Sequence, residues 1–171
     1  ALAQVPSNTA YDLTVQKEGY VFAGQTVTTS YSQSGNVNAG NLWGVDFTGR
    51  VPVSVGAAKK NADDVTVAFR DVGVTAVFGD WFYVENLNRS SGILVNKAGH
   101  GLSVGHRVEV IGVTDTNEDS ERFVQASYVK DTGQAAVKPV GMTILTLGGA
   151  DWLGTGGLVG QRGVTGGPGL N

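Results

Sequence analysis

Cysteine is absent from this chain of 171 residues, which removes disulfides, thiolate zinc sites and cysteine nucleophiles together. Histidine is nearly absent: His100 and His106 form neither a His-x-His nor a His-Glu-x-x-His spacing, so no metal set is expected. No run of about 18 apolar residues occurs, and no membrane-spanning helix is expected. Sustained apolar spacing at i, i+3, i+4 and i+7 is missing, with Met142–Leu147 the best of a poor set of helical candidates. Excess positive charge is lacking too. Against 12 Lys and Arg stand 15 Asp and Glu, a net charge of −3, which is the wrong sign for a polyanion receptor.

Charge is scarcest at the two ends. Residues 1–58 carry only Asp12, Lys17, Glu18, Asp46 and Arg50, and residues 132–171 only Lys138, Asp151 and Arg162. The other 19 charged residues lie between Lys59 and Asp131. Sheet edges are normally guarded by charge, lysine above all, so two long uncharged flanks of β-formers point to surfaces that something covers.

What is present is strand signal. Val, Thr and aromatic residues cluster in Tyr11–Gln16, Tyr20–Ala23 and Thr26–Tyr31. The polar stretch Ser32–Gly40 reads as a loop, and Leu42–Phe47 and Val51–Val55 as strands joined at Thr48-Gly49. A charged connector, Ala57–Asp64, follows. Val65–Phe69 or Val72–Phe78 then starts a strand that turns at Gly79-Asp80, a pair suited to a type I′ or II′ hairpin, and returns as Trp81–Asn86. Gly92–Asn96 is a short strand, and Arg107–Thr114 and Glu121–Val129 form a second hairpin across Asp115–Ser120. The 26 glycines have no three-residue period, which excludes collagen. Those after Asp131 are interspersed with Ile144, Leu147, Trp152, Leu158 and Val164, the composition of an ordered strap and not of a flexible linker.

Three strands, a crossover and two more strands is the order of an OB barrel. The residues Gly79-Asp80-Trp81-Phe82-Tyr83-Val84-Glu85, Arg89-Ser90-Ser91-Gly92-Ile93-Leu94-Val95 and Val104-Gly105-His106-Arg107-Val108-Glu109-Val110-Ile111-Gly112 resemble a bacterial OB-type domain of secreted and cell-surface proteins, often found as repeats. The resemblance covers about residues 65–171, and continues through Lys138-Pro139-Val140-Gly141-Met142 and the terminal Gly-rich run. His106 departs from it, standing where an acidic turn residue is usual. The expected architecture is all-β: an N-terminal β-rich extension (1–58), an OB-like five-stranded barrel (59–131) and a Gly-rich C-terminal strap (132–171) packed on the barrel or a neighbour.

Side chains alternate along Trp81–Asn86, so Phe82 and Val84 should face inward with Ile93, Val95, Val108 and Val110, leaving Trp81, Tyr83 and Glu85 outside. An OB barrel stacks ligands on aromatics of its second and third strands, which makes Trp81 and Tyr83, with Arg89 as a cation, the candidate ligand residues. Asp115–Glu121 spaces oxygens like half a calcium loop, but Ser120 and Ala126 stand where an EF-hand needs Gly and Glu. Asn88-Arg89-Ser90 is a glycosylation sequon. No Walker lysine accompanies the Gly-rich tail, and neither a cofactor nor an enzymatic activity is expected.

The leading expectation is a structural subunit of an extracellular or cell-surface assembly, a filament or surface layer, in which copies join head-to-tail by β-strand addition and apolar docking. Candidate assembly contacts are Tyr11, Leu13, Val15, Tyr20, Phe22, Val27, Trp152 and Leu158. The alternative is a glycan- or single-strand-binding OB module, with nucleic acid disfavoured by charge. Ala1-Leu2-Ala3-Gln4 resembles the end of a signal peptide, and export is expected.

Overall fold

The computed structural model describes residues 6–31, 42 and 44–136, which fall into two compact units divided between Val51 and Pro52. The Met142–Leu147 helix candidate, the whole Ser32–Gly40 loop and the Gly-rich strap beyond residue 136 lie outside the described residues.

The first unit is built on a two-stranded antiparallel ribbon of β1 (Ala10–Leu13) and β2 (Gln25–Thr28). Their register places Tyr11 opposite Val27 and Leu13 opposite Gln25 on a half-buried face. Ala10, Asp12, Thr26 and Thr28 lie on the exposed face, where the Thr26 hydroxyl donates to Asp12 Oδ1 at 2.6 Å. Both strands are shorter than the β-former runs that contain them, because pairing stops where partners stop. Tyr20–Ala23 is not a strand; it holds two isolated bridges, Lys17 with Tyr20 and Val21 with Arg50. Among the described residues from 42 to 49 no strand forms either, so the expected hairpin across Thr48-Gly49 is absent. Gly49 instead passes under two rings: a Cβ there would sit 2.7 Å from Phe22 Cζ and 3.0 Å from Tyr20 Cδ1.

The second unit is the barrel. Ser54 opens it by capping the short helix α1 (Val55–Ala58), its Oγ accepting the Ala57 N–H at 3.2 Å. The expected strand Val51–Val55 is therefore replaced by extended chain running into a helical turn. Its apolar residues do not alternate against a sheet: Val51 and Val53 are exposed, and Val55 turns into the core. Five strands follow: β3 (Thr66–Phe78), β4 (Trp81–Asn86), β5 (Gly92–Asn96), β6 (His106–Thr116) and β7 (Arg122–Gln134). They pair in a ring, β3-β4-β5-β7-β6 and back to β3, with every contact antiparallel except β5 with β7. That is the OB-like order: a three-strand meander, a crossover, and a hairpin that closes on the first strand.

The two candidate runs for the first barrel strand are one strand. Arg70-Asp71 breaks the alternation because β3 bulges there against β6, with Asp71 at φ +56°. The bulge bends the strand, so that its first part pairs with β6 and its last part with β4. At the β3–β4 turn, φ is +61° at Gly79 and is not positive at Asp80, the type II′ pattern. The inward residues are those the alternation selects: Phe82, Val84, Ile93, Val95, Val108 and Val110 are all buried, with Phe69, Val74 and Val124. Each such side chain contributes about 1.5–3 kcal/mol by leaving water. Thr114 is the single buried polar residue among those described. Its hydroxyl donates to Ala62 O at 2.7 Å, tying the approach to β3 onto β6.

Candidate functional site

The ring of pairings fixes what lies together on the outside of the barrel. One row across four strands reads Phe78, Trp81, Asn96, Gln125. The next reads Ala76, Tyr83, Leu94, Phe123. Beyond it Glu85 stands opposite Gly92, and Glu121 immediately precedes β7. Gly92 is the low point of this row, since a Cβ there would lie 2.9 Å from Glu85 Cγ.

Trp81 and Tyr83 reach across β5 towards β7. The Trp81 ring meets Phe123 edge-on at 5.2 Å between centroids, and the Tyr83 hydroxyl donates to Glu121 Oε1 at 2.6 Å. Leu94 and Phe123 are buried although they face outward, with Trp81 and Tyr83 half-buried beside them. Phe78 stands edge-on to Tyr83 at 6.4 Å and is 63% exposed. The result is an aromatic platform with an amide pair, Asn96 and Gln125, at one end and two carboxylates at the other. Arg89 holds a left-handed backbone conformation at φ +60° and is ion-paired with Glu85. The structure thus brings Trp81, Tyr83 and Arg89 to one region, with the Arg89 charge offset by a carboxylate. Phe78, Asn96, Gln125 and Glu121 join them. The sequence reading did not select these four: Phe78 and Asn96 face Trp81 across antiparallel neighbours, whereas Gln125 and Glu121 arrive through the β5–β7 parallel pairing, which no local pattern announces.

Tyr83 is the one described group with a marked shift in acidity. Its hydrogen bond to Glu121, then burial, then the Glu121 charge push its pKa up from 10 to about 12. The sign follows directly. Below pH 10 both folded and unfolded chains keep the phenol protonated. Between about 10 and 12 the unfolded chain releases the proton first, so this contribution to stability is lost as pH rises through that window. In a 295 nm absorbance titration, one of the five tyrosines should ionise about two pH units above the ordinary value, and Tyr83→Phe should remove that late step.

The ribbon holds the N-terminal candidates. Tyr11, Leu13 and Val27 share its half-buried face, and Val15 is exposed just beyond β1. Tyr20 and Phe22 pack at 6.2 Å with Lys17 Nζ 4.6 Å from the Tyr20 centroid. Trp152 and Leu158 lie outside the described residues.

Other constellations are less organised. Asn117 Oδ1 accepts the N–H groups of Asp119 and Glu121 at 3.1 and 2.8 Å, making the acidic loop a self-satisfied turn. No cluster of three or more metal-ligating side chains occurs among the described residues. Gly101-Leu102-Ser103-Val104-Gly105 has the spacing of a nucleophile elbow, which the sequence reading missed. An elbow needs a strand-to-helix turn, whereas this run is a loop leading into β6. Both ring nitrogens of His100 are engaged, Nδ1 accepting the Leu102 N–H at 2.9 Å and Nε2 lying 2.9 Å from Gly79 O. His106 Nδ1 lies 2.8 Å from Asp131 Oδ2 without hydrogen-bond alignment, and no hydrogen bond joins His106 to the Ser103 side chain.

Known proteins add little. No protein-family profile matches the chain, and no curated protein matches it. Among solved structures, the hypothetical protein ygiW from E. coli is similar over 47% of this chain and 89% of its own, at 21% identity and a TM-score of 0.40. The fold assignment therefore rests on the strand order and pairings themselves. No described helix is long and apolar enough to cross a membrane.

Proposed function

We propose that this protein is a non-enzymatic structural subunit of an extracellular or cell-surface assembly, joined by β-strand addition and apolar docking. The observation that carries the reading is the contrast between the two units. In the barrel every strand has two partners, so none is an edge strand, though β7 beyond Gln125 and β3 before Val72 are laddered on one side alone. The ribbon has two strands of four residues, and both outer edges are unpaired among the described residues. A two-stranded hairpin is marginal by itself in water, and Val21 is the single fully buried hydrophobic described in this unit. Added strands supply what the ribbon lacks. Exposed apolar side chains on the barrel, Phe78 at 63% and Val104 at 57%, suit the docking part of the proposal.

Sedimentation velocity and negative-stain microscopy of the full chain test this. Concentration-dependent oligomers or filaments are expected. A monomer that persists to the highest soluble concentration would overturn it.

A second reading, a glycan-binding module, is favoured by the outer platform. Aromatic faces flanked by amides and carboxylates suit a neutral polyhydroxylated ligand. Glu85 and Glu121 beside Tyr83 repel a phosphate backbone, and the described cation there is already paired. On this reading Trp81→Ala weakens retention on a glycan array about tenfold or more while leaving sedimentation unchanged. Equal retention by the variant excludes it.

A further inference from the structure

The ribbon's two outer edges are not equivalent, and the difference points to how copies join. The Thr29 N–H donates to Thr9 O at 3.0 Å, which marks that opposed pair as one linked by main-chain hydrogen bonds. Linked and unlinked pairs alternate along an antiparallel ladder. Tyr11 with Val27 and Leu13 with Gln25 are then the linked pairs of the register. It follows that the N–H and C=O groups of Thr26 and Thr28 point away from β1, as do those of Ala10 and Asp12 away from β2.

The β1 edge is guarded. Its approach contains Pro6, which has no N–H, and the Pro6 carbonyl is occupied by the hydroxyls of Thr29 at 2.8 Å and Tyr11 at 3.3 Å. Asp12 adds a charge on the exposed face. Two β1 edges paired about Tyr11 would set the carboxylates of two copies close together on one face. The β2 edge has none of these devices. From Gln25 to Tyr31 the chain carries no charge, no proline and no glycine, only Gln, Thr, Val, Ser and Tyr.

We infer that the β2 edges of two copies pair antiparallel about a twofold axis through Val27. This rests on the self-assembly reading and names its partner surface. The register follows from which groups point outward. Thr26 of each copy exchanges two hydrogen bonds with Thr28 of the other, four bonds in all, and the two Val27 residues face each other as an unlinked pair. The product is a four-stranded sheet, β1-β2-β2-β1, whose outer edges are the guarded ones. It brings two copies of the Tyr11, Leu13 and Val27 face side by side, giving the ribbon the extra strands that a stable sheet needs. A pair of this kind is self-complementary and closes. A filament or layer then needs a second, different contact, for which the exposed barrel residues remain.

The test uses the full chain and exploits its lack of cysteine. An unlinked antiparallel pair holds its Cα atoms about 4.5 Å apart, within the span of a disulfide. Val27→Cys should therefore oxidise to a covalent dimer on a non-reducing gel, and Asp12→Cys, on the guarded edge, should not. Thr28→Pro removes an outward N–H while sparing the bonds to β1, a place where an edge strand accepts proline. It should weaken self-association in sedimentation at least tenfold with the far-UV spectrum of the barrel unchanged. If the unaltered chain associates but Val27→Cys fails to cross-link, or Thr28→Pro associates as tightly, this pairing is wrong while assembly stands; β1-on-β2 stacking from copy to copy would give that result. If the unaltered chain stays monomeric and Val27→Cys does not cross-link, both readings fall.

Discussion

Gly112→Ala should lower the stability of the barrel by at least about 3 kcal/mol, the upper end of the usual range for overpacking. Gly112 lies where β6 passes close against β7. A Cβ there would sit 2.5 Å from Gln125 O, 2.6 Å from Val124 Cγ1 and 2.8 Å from Ala126 Cα. Two of those atoms are backbone and cannot swing aside. The register between the strands shifts at this point, with Ile111 opposite Tyr128 and Gly112 opposite Ala126, so that Ser127 is the extra residue of a bulge. The bulge tightens the bend by which β7 closes the ring, and the glycine is what lets the two backbones approach. Urea unfolding followed by tryptophan fluorescence reads the effect as a fall in midpoint. A midpoint within error of the unaltered chain would mean that β6 and β7 are not this close.

Phe82→Ala should cost about 3–5 kcal/mol, the loss expected for a large buried ring. Phe82 is fully buried. Its ring lies 4.8 Å from that of His100, whose Nδ1 orients the N–H of Leu102 in the β5–β6 connection. Removing the ring opens a cavity in the barrel and takes away the floor under that connection. The consequence reaches the outer platform, because Phe82 sits between Trp81 and Tyr83 on β4 and anchors the strand that presents them. In the same urea assay Phe82→Leu should lose less, since it keeps most of the apolar volume. An alanine variant as stable as the leucine variant would contradict a packed ring.

Much of the barrel was legible because period-two alternation is a local property. Phe82 and Val84 inward with Trp81 and Tyr83 outward follow from strand geometry alone, and Trp81–Asn86 and Gly92–Asn96 fall where turn residues bracket β-formers. The first barrel strand was harder. Arg70-Asp71 reads as an interruption, and only pairing to β6 on one side and β4 on the other turns it into a bulge within one long strand. Residues 42–55 show the opposite error. Their β-formers suggest a hairpin, but strand propensity yields strand only where a partner backbone is in register, and Val55 is taken instead by a capped helical turn.

The platform divides the same way. Trp81, Tyr83 and Arg89 could be selected because they lie within nine residues of one another along the chain. Phe123, Gln125 and Glu121 could not, since they arrive from β7 through the parallel pairing with β5.

By itself, then, the amino-acid order determined an all-β chain, the inward and outward faces of its strands, the hairpin at Gly79-Asp80 and the shortage of charge along the N-terminal segment. Tertiary structure decided that every barrel strand lies between two partners, that the ribbon's two outer edges are unpaired among the described residues, and that β2 is the unguarded one. The physical reason is that alternation and turn chemistry act between neighbours in the chain, whereas an edge is free or taken only according to which distant strand lies beside it.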